Sequence, residues 1–186
     1  TICYYRQDFG RLNADKDSYG VPRSKSIQTT PAHQLALAAV YYSPLQYMYW
    51  YDKPSDSQDE PELKFFDDVY TTWDDTKVLQ GEVGEFITIA RRKGEEWFIG
   101  SITNNEKRVL SVSLDFLPEG KNYIAEIYTD GDKSVKTRTK VRVSTYRVSN
   151  KTKLNFCLKA SGGGAVRLVP DDGNIKSVKN YKQQRL

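Results

Sequence analysis

From Leu35 to Tyr42 the chain reads LALAAVYY, an unbroken hydrophobic run inside the stretch TTPAHQLALAAVYYSPLQYMYW at 29–50. A helix with no polar face has to be enclosed on every side or cross a membrane. The run is far short of the ~20 apolar residues a membrane span needs, so enclosure by protein is expected. Thr29 or Thr30 can cap such a helix, with Pro31 in its first turn. Pro44 would remove a backbone hydrogen bond, so the helix should stop or kink near Ser43, and Ser43 can cap a short second turn. Nearly everything after residue 70 reads as strand, which leaves little to surround the run. The expectation is that this helix is the last element of a larger domain. Leu35, Leu37, Val40 and Tyr41 should then lie exposed, pack on a second copy, or fold against residues 1–28.

After a segment at 60–70 with the composition of a short surface helix (EPELKFFDDVY, again opened by a proline), the pattern changes to a period of two from Trp73 onward. EFITIARR and EWFIGSIT flank Lys93-Gly94-Glu95 and read as a hairpin. In RVLSVSLDFL at 108–117, Leu110, Val112, Leu114 and Phe116 alternate with polar partners. Pro118-Glu119-Gly120 turns the chain into 122–129, with Tyr123, Ala125 and Ile127 on one face. Segments 137–148, 153–158 and 165–169 bring the count to about eight strands. Short strands spaced by turn residues argue an antiparallel β-sandwich. Trp73 and Trp97 are expected in its core, and 171–186 as a polar, frayed tail.

Charge is segregated. Residues 51–85 hold eleven Asp/Glu against three Lys/Arg, whereas 86–170 hold sixteen Lys/Arg against eight Asp/Glu. The basic residues alternate, as in Lys136, Arg138, Lys140 and Arg142, which is how a solvated sheet face reads, so no nucleic-acid partner is expected. Cys3 and Cys157 have neither a disulfide pattern nor metal-ligand spacing. His33, the sole histidine, is expected to pack or hydrogen-bond at the helix start. The carboxylate pairs Asp67/Asp68, Asp74/Asp75, Glu82/Glu85 and Glu95/Glu96 point apart on strand or helix and suit turns better than glycoside hydrolysis. Asp130-Gly131-Asp132 lacks a calcium-loop pattern, and Gly162–Gly164 opens no helix, so it is no phosphate cradle. No catalytic or metal-ligating residue is assigned. Tyrosines and Trp50 crowd the first quarter of the chain, where interdomain packing is the expected role. Tyr4 and Tyr5, at a strand end, are the candidates for sugar contact.

The blocks TTPAHQLALAAVYYSPLQ, YDKPSD, EPELKFFDDVYTTWDDTKVLQGEVGEFITIARRKGEEWFIGSITN and LDFLPEGKNYIAEIYTDG occur in that order, and together they resemble the C-terminal part of glycoside hydrolase family 97. That family contains α-glucosidases and α-galactosidases, typically from gut Bacteroides. The resemblance implies a mainly β chain: a C-terminal antiparallel β-sandwich preceded by the last strand and helix of a (β/α)8 barrel. Residues 1–50 would be the barrel end, 51–72 a connector, 73–170 the sandwich and 171–186 the tail. It further implies a parent enzyme that hydrolyses α-linked oligosaccharides with calcium, in the periplasm or outside the cell. The catalytic carboxylates and calcium ligands would lie in barrel segments not matched by any position here, so the chain alone should be inactive, with the barrel domain as its partner. The alternatives are a carbohydrate-binding β-sandwich without hydrolytic activity, which an aromatic row including Trp97 would favour, and a plain interaction domain.

Overall fold

The computed structural model describes residues 2–3, 29–50, 60–137, 139–174 and 177–183. In chain order the elements are β1 (Ile2–Cys3), α1 (Pro31–Val40), β2 (Met48–Tyr49), a 3-10 turn (Pro61–Leu63), α2 (Lys64–Asp68) and β3 (Asp75–Glu82). There follow β4 (Phe86–Lys93), β5 (Glu96–Thr103), β6 (Arg108–Ser113), β7 (Asn122–Asp130), β8 (Val141–Ser149), β9 (Lys153–Leu158) and β10 (Gly163–Pro170). The eight strands from β3 to β10 form two antiparallel sheets, a six-stranded one ordered β3-β4-β5-β10-β7-β8 and a two-stranded one of β6 and β9. β1 and β2 pair in parallel on either side of α1.

Local chemistry accounts for these boundaries. Gly94 takes φ 58° at the first position of the two-residue β4–β5 turn, where a side chain would be strained. β3, an edge strand, carries a bulge between Val78 and Gln80 and the exposed Lys77, features that discourage edge-to-edge pairing. At the other edge residues 177–183, expected to be frayed, dock on β8. Arg147 and Tyr181 exchange backbone hydrogen bonds with Lys179 and Arg147 at 2.9 Å, and Tyr181 stacks edge-on against Tyr146.

The six-stranded sheet is packed on both faces. Against the β6–β9 pair lies the sandwich core, with Trp97, Ile99, Val112, Leu114, Tyr123, Leu154, Phe156 and Leu168 all buried. On the opposite face α1, α2 and Trp50 pack over Phe98, Tyr128 and Ala165. Residues 35–39 of the run are therefore enclosed, correcting the expectation that little here could surround it, whereas Tyr41 and Tyr42 stay exposed. Leu35, Ala36, Ala38 and Ala39 are fully buried and Leu37 nearly so, while Tyr41 is 52% exposed. The physical reason is that the large sheet has two apolar faces, one for the sandwich and one for the helices. β4, β5, β7 and β10 are buried on both. Trp73, expected in the sandwich core, packs half-buried on this helix-covered face.

Two further boundaries differ. The helix ends at Val40 and the second turn after Ser43 is absent; Met48–Tyr49 is extended instead. The residue before a proline is biased away from the helical region, and Arg91 provides a stop from outside, described below. The segment at 60–70 is helical but is no surface helix, since Phe65 and Glu62 are fully buried.

Candidate functional site

The surface of most interest is the helix-bearing face, because it joins the first part of the chain to the strands. α1 begins where Thr30 accepts the His33 N–H at 3.2 Å and donates its own N–H to the Ser161 carbonyl at 3.0 Å. The His33 ring nitrogen Nδ1 meets the Gly162 carbonyl oxygen at 3.1 Å. Burial holds the His33 pKa below its ordinary value, so the ring is a neutral packing group, as its position suggested. The helix then crosses the sheet at very close range. A Cβ on Gly100 would stand 2.5 Å from the Ala36 carbonyl oxygen, and one on Gly163 2.5 Å from the His33 Cα. These two glycines form the seat that lets an alanine-rich helix reach the sheet.

At the far end Arg91, 3% exposed, turns its guanidinium onto the helix terminus. Its Nε donates to the Ala39 carbonyl, Nη2 to the Val40 carbonyl at 3.0 Å and Nη1 to Thr76 Oγ1 at 2.8 Å. These carbonyls have no intrahelical partner, and a cation there also complements the helix dipole. Tyr42 lies over the same guanidinium, 5.3 Å from ring centroid to Cζ. EFITIARR reads as a plain strand, so the sequence alone does not single out Arg91. The available signal was an arginine in register with Ile87 and Ile89 on an apolar face.

The connector is locked to the same face. Phe65 packs edge-on against Phe98 and Tyr128 at 6.1 and 5.3 Å. Thr139 donates to Glu62 Oε1, and the Trp50 side chain also bears on this carboxylate. The neighbouring cations are engaged elsewhere: Arg167 holds Glu96 at 2.8 Å and Asp68 at 2.7 Å, and Lys64 holds Asp68 and, at 3.1 Å, Glu126. Burial, with Glu60 nearby adding to it, pushes the Glu62 pKa up.

Each of the four carboxylate pairs is split. Asp68 joins Arg167 while Asp67 faces solvent. Asp74 accepts from the Gly94 N–H and Lys93, whereas Asp75 accepts from the Thr76 N–H. Glu85 pairs with Arg108 at 2.6 Å, and Glu82 is exposed. Glu95 reaches Lys121 and Glu96 reaches Arg167. Asp130 accepts from the Lys159 and Gly163 N–H groups, Asp132 from Ser134 and Arg142. Among the described residues no three metal-ligating side chains converge, so this donor set does not fit calcium. Trp97, 4% exposed in the sandwich core, has no face to offer a sugar. Tyr4 and Tyr5 lie outside the described residues. What the face does present is Tyr41, Tyr42, Leu45 and Tyr47, all more than half exposed just beyond α1. Among the described residues no helix is long and apolar enough to cross a membrane.

Comparison with known proteins agrees with this architecture. Residues 72–169 match the family model described as glycosyl-hydrolase 97 C-terminal, oligomerisation. A retaining α-galactosidase of Bacteroides thetaiotaomicron is 34% identical over 158 residues, covering 84% of this chain and 23% of that protein. A family 97 enzyme from Pseudoalteromonas sp. strain K8, solved with acarbose, superposes with a TM-score of 0.70 at 36% identity over 78% of this chain and 23% of its own. A β-arabinopyranosidase shares the fold alone, with a TM-score of 0.60 at 23% identity over 80% of this chain and 22% of its own. The chain thus spans under a quarter of the length of the relatives it matches, and over that span it is mainly β with a C-terminal antiparallel sandwich. It belongs to glycoside hydrolase family 97, whose C-terminal region it carries.

Proposed function

We propose that this chain serves as the accessory, non-catalytic end of an enzyme that hydrolyses α-glucosidic or α-galactosidic bonds. One observation carries the reading: its match runs along 84% of the chain yet meets only 23% of a retaining α-galactosidase. The carboxylates described here support it, because each candidate pair is drawn apart by its own hydrogen bonds or ion pairs. Catalysis and the calcium implied by the family belong, on this reading, to a barrel domain of the parent, with β1 and α1 at the barrel's end. The exposed Tyr41, Tyr42, Leu45 and Tyr47 are suited to packing against that domain. A role in holding copies of the enzyme together accords with the description of the matching family model. Contact of Tyr4 or Tyr5 with substrate, and a periplasmic or secreted location, belong to the same proposal.

The test is hydrolysis of p-nitrophenyl α-galactoside and α-glucoside by the isolated chain and by the longer parent, with and without a calcium chelator. Turnover by the parent alone, abolished by the chelator, is expected. Metal-dependent turnover by the isolated chain would overturn the accessory reading. Sedimentation of the parent with and without residues 72–169 checks the assembly role, and Tyr4→Ala and Tyr5→Ala in the parent check substrate contact through KM.

A further inference from the structure

A two-stranded sheet cannot cover a six-stranded one. β9 packs against β7 and β10 and β6 reaches β3 at the opposite edge, so the inner face of β8 extends beyond the pair. The uncovered strip does not carry the apolar residues an inner sheet face normally buries. Arg142, Ser144 and Tyr146 line it, and together with the flank of β9 and the docked tail they bound a groove of about 1320 Å³. Lys107 and Lys159 stand on the β6–β9 side, and Lys179 and Lys182 on the tail. Lys107, Lys179 and Lys182 are exposed.

The sequence around this groove is strongly one-sided. Seven Lys/Arg line the groove against two carboxylates, Asp130 and Asp132. The two acids at the groove are already satisfied: Asp132 by Arg142 and Ser134, Asp130 by backbone N–H groups. Cations crowded into a concave, low-dielectric wall focus a positive potential and raise the local concentration of anions. Between them lie hydroxyl groups of Ser144 and Thr129 and the rings of Tyr146 and Tyr181. A chain whose carboxylates are set among the hydroxyl groups of puckered sugar rings matches that mixture of cations, hydroxyls and rings better than one whose charges stand apart from flat bases.

We propose that the β8–β9 groove binds an acidic saccharide chain, one bearing carboxylates on its sugar rings, and so tethers the parent enzyme to anionic glycan. The choice of a saccharide rests on the hydrolase reading above; the choice of an acidic one rests on the groove alone. The neutral substrate of the catalytic domain and the anionic chain held here would be different molecules, or different parts of one branched polymer.

The test uses the chain as it stands, titrated calorimetrically at low and moderate salt with oligogalacturonate, with a maltooligosaccharide of equal length, and with a single-stranded oligonucleotide of equal charge. Saturable binding of oligogalacturonate is expected, weakening as salt rises through counterion release. The neutral oligosaccharide should neither bind nor compete. The triple variant Lys107→Glu, Lys179→Glu, Lys182→Glu alters only exposed side chains and should lower the affinity by about tenfold or more. Unchanged binding by a variant with wild-type circular dichroism would overturn the site, as would no binding of oligogalacturonate at low salt. Tighter binding of the oligonucleotide would overturn the saccharide assignment. Each of these failures leaves the hydrolase reading intact, since turnover by the parent measures that independently.

Discussion

The two faces of the six-stranded sheet solve the same burial problem by different means. Towards β6 and β9 the core is made of large interlocking side chains, with Phe156, Leu154, Val112 and Leu114 essentially inaccessible. Towards α1 the sheet offers glycines to alanines, and polar groups complete the contact: Arg91 on the helix end, His33 on the Gly162 carbonyl, Thr139 on Glu62. Side-chain volume holds the first face. The second adds to its aromatic cluster of Phe65, Phe98 and Tyr128 a close backbone approach and directed hydrogen bonds, which carry geometric specificity that apolar packing lacks. Damage should accordingly spread through the first face and stay local on the second.

Phe156→Ala is the most severe single change expected, about 3–5 kcal/mol from lost burial and an unfilled cavity, with one cooperative transition in urea shifted as a whole. Arg91→Met should cost about 1.5–3 kcal/mol, because the Ala39 and Val40 carbonyls lose charged donors in a buried setting. Arg91→Lys should recover only part of this, having no fork to reach both carbonyls and Thr76 together. Gly163→Ala should cost about 1–3 kcal/mol through a forced shift of α1. Hydrogen exchange in 31–40 should accelerate there while β6 and β9 stay protected. Equal acceleration in both would erase the distinction between the faces.

The next effect is one of pH. Glu62 keeps its proton in the folded chain to a higher pH than its ordinary value of 4.5. The folded state therefore binds more protons than the unfolded one over that interval, and Glu62's contribution is lost as pH rises through the raised value. His33 slopes the other way: its folded value lies below 6.5, so its contribution is lost as pH falls from there. In urea denaturation between about pH 4 and about pH 8, Glu62→Gln should remove the first slope and leave the second. A Glu62→Gln profile that parallels wild type would show the carboxyl to be hydrated and ionised. The smallest change expected is Tyr42→Ala, about 0.5–1 kcal/mol from the ring over Arg91.

How far the residues themselves announced this architecture depends on the range of the interaction concerned. Strands with clean alternation, such as Leu110–Val112–Leu114, were legible because period and burial coincide, and the cap at Thr30 and Pro31 because capping is local. The β4–β5 turn was legible from Gly94 for the same reason. The seat under α1 was not, since Gly100 and Gly163 reveal their purpose only when a helix from elsewhere lies across them. Glu62 looked like a solvated acid because its burial depends on Thr139, 77 residues away. The docking of Lys179 and Tyr181 on β8 escaped for a further reason: a polar segment without periodicity can still satisfy an edge strand through its backbone. The splitting of the three adjacent carboxylate pairs followed from adjacency, whereas that of Glu82 and Glu85, and the partners in every case, had to be seen.

The glycine seat also bears on where an independent folding unit begins. The matched family region starts at residue 72, but a piece cut there would lack α1, Trp50 and α2. Phe98, Tyr128 and Ala165 would then meet water across a broad strip, with Arg91 left beside them and Thr76 alone of its three partners to donate to. Such a piece would behave as a sticky half-sandwich prone to association for reasons unrelated to any natural assembly. Shortened forms of this molecule that retain Thr30 and the residues after it should stay discrete in solution. Oligomers observed only in forms beginning near residue 72 would report a wound in the sheet and say nothing about the intact enzyme.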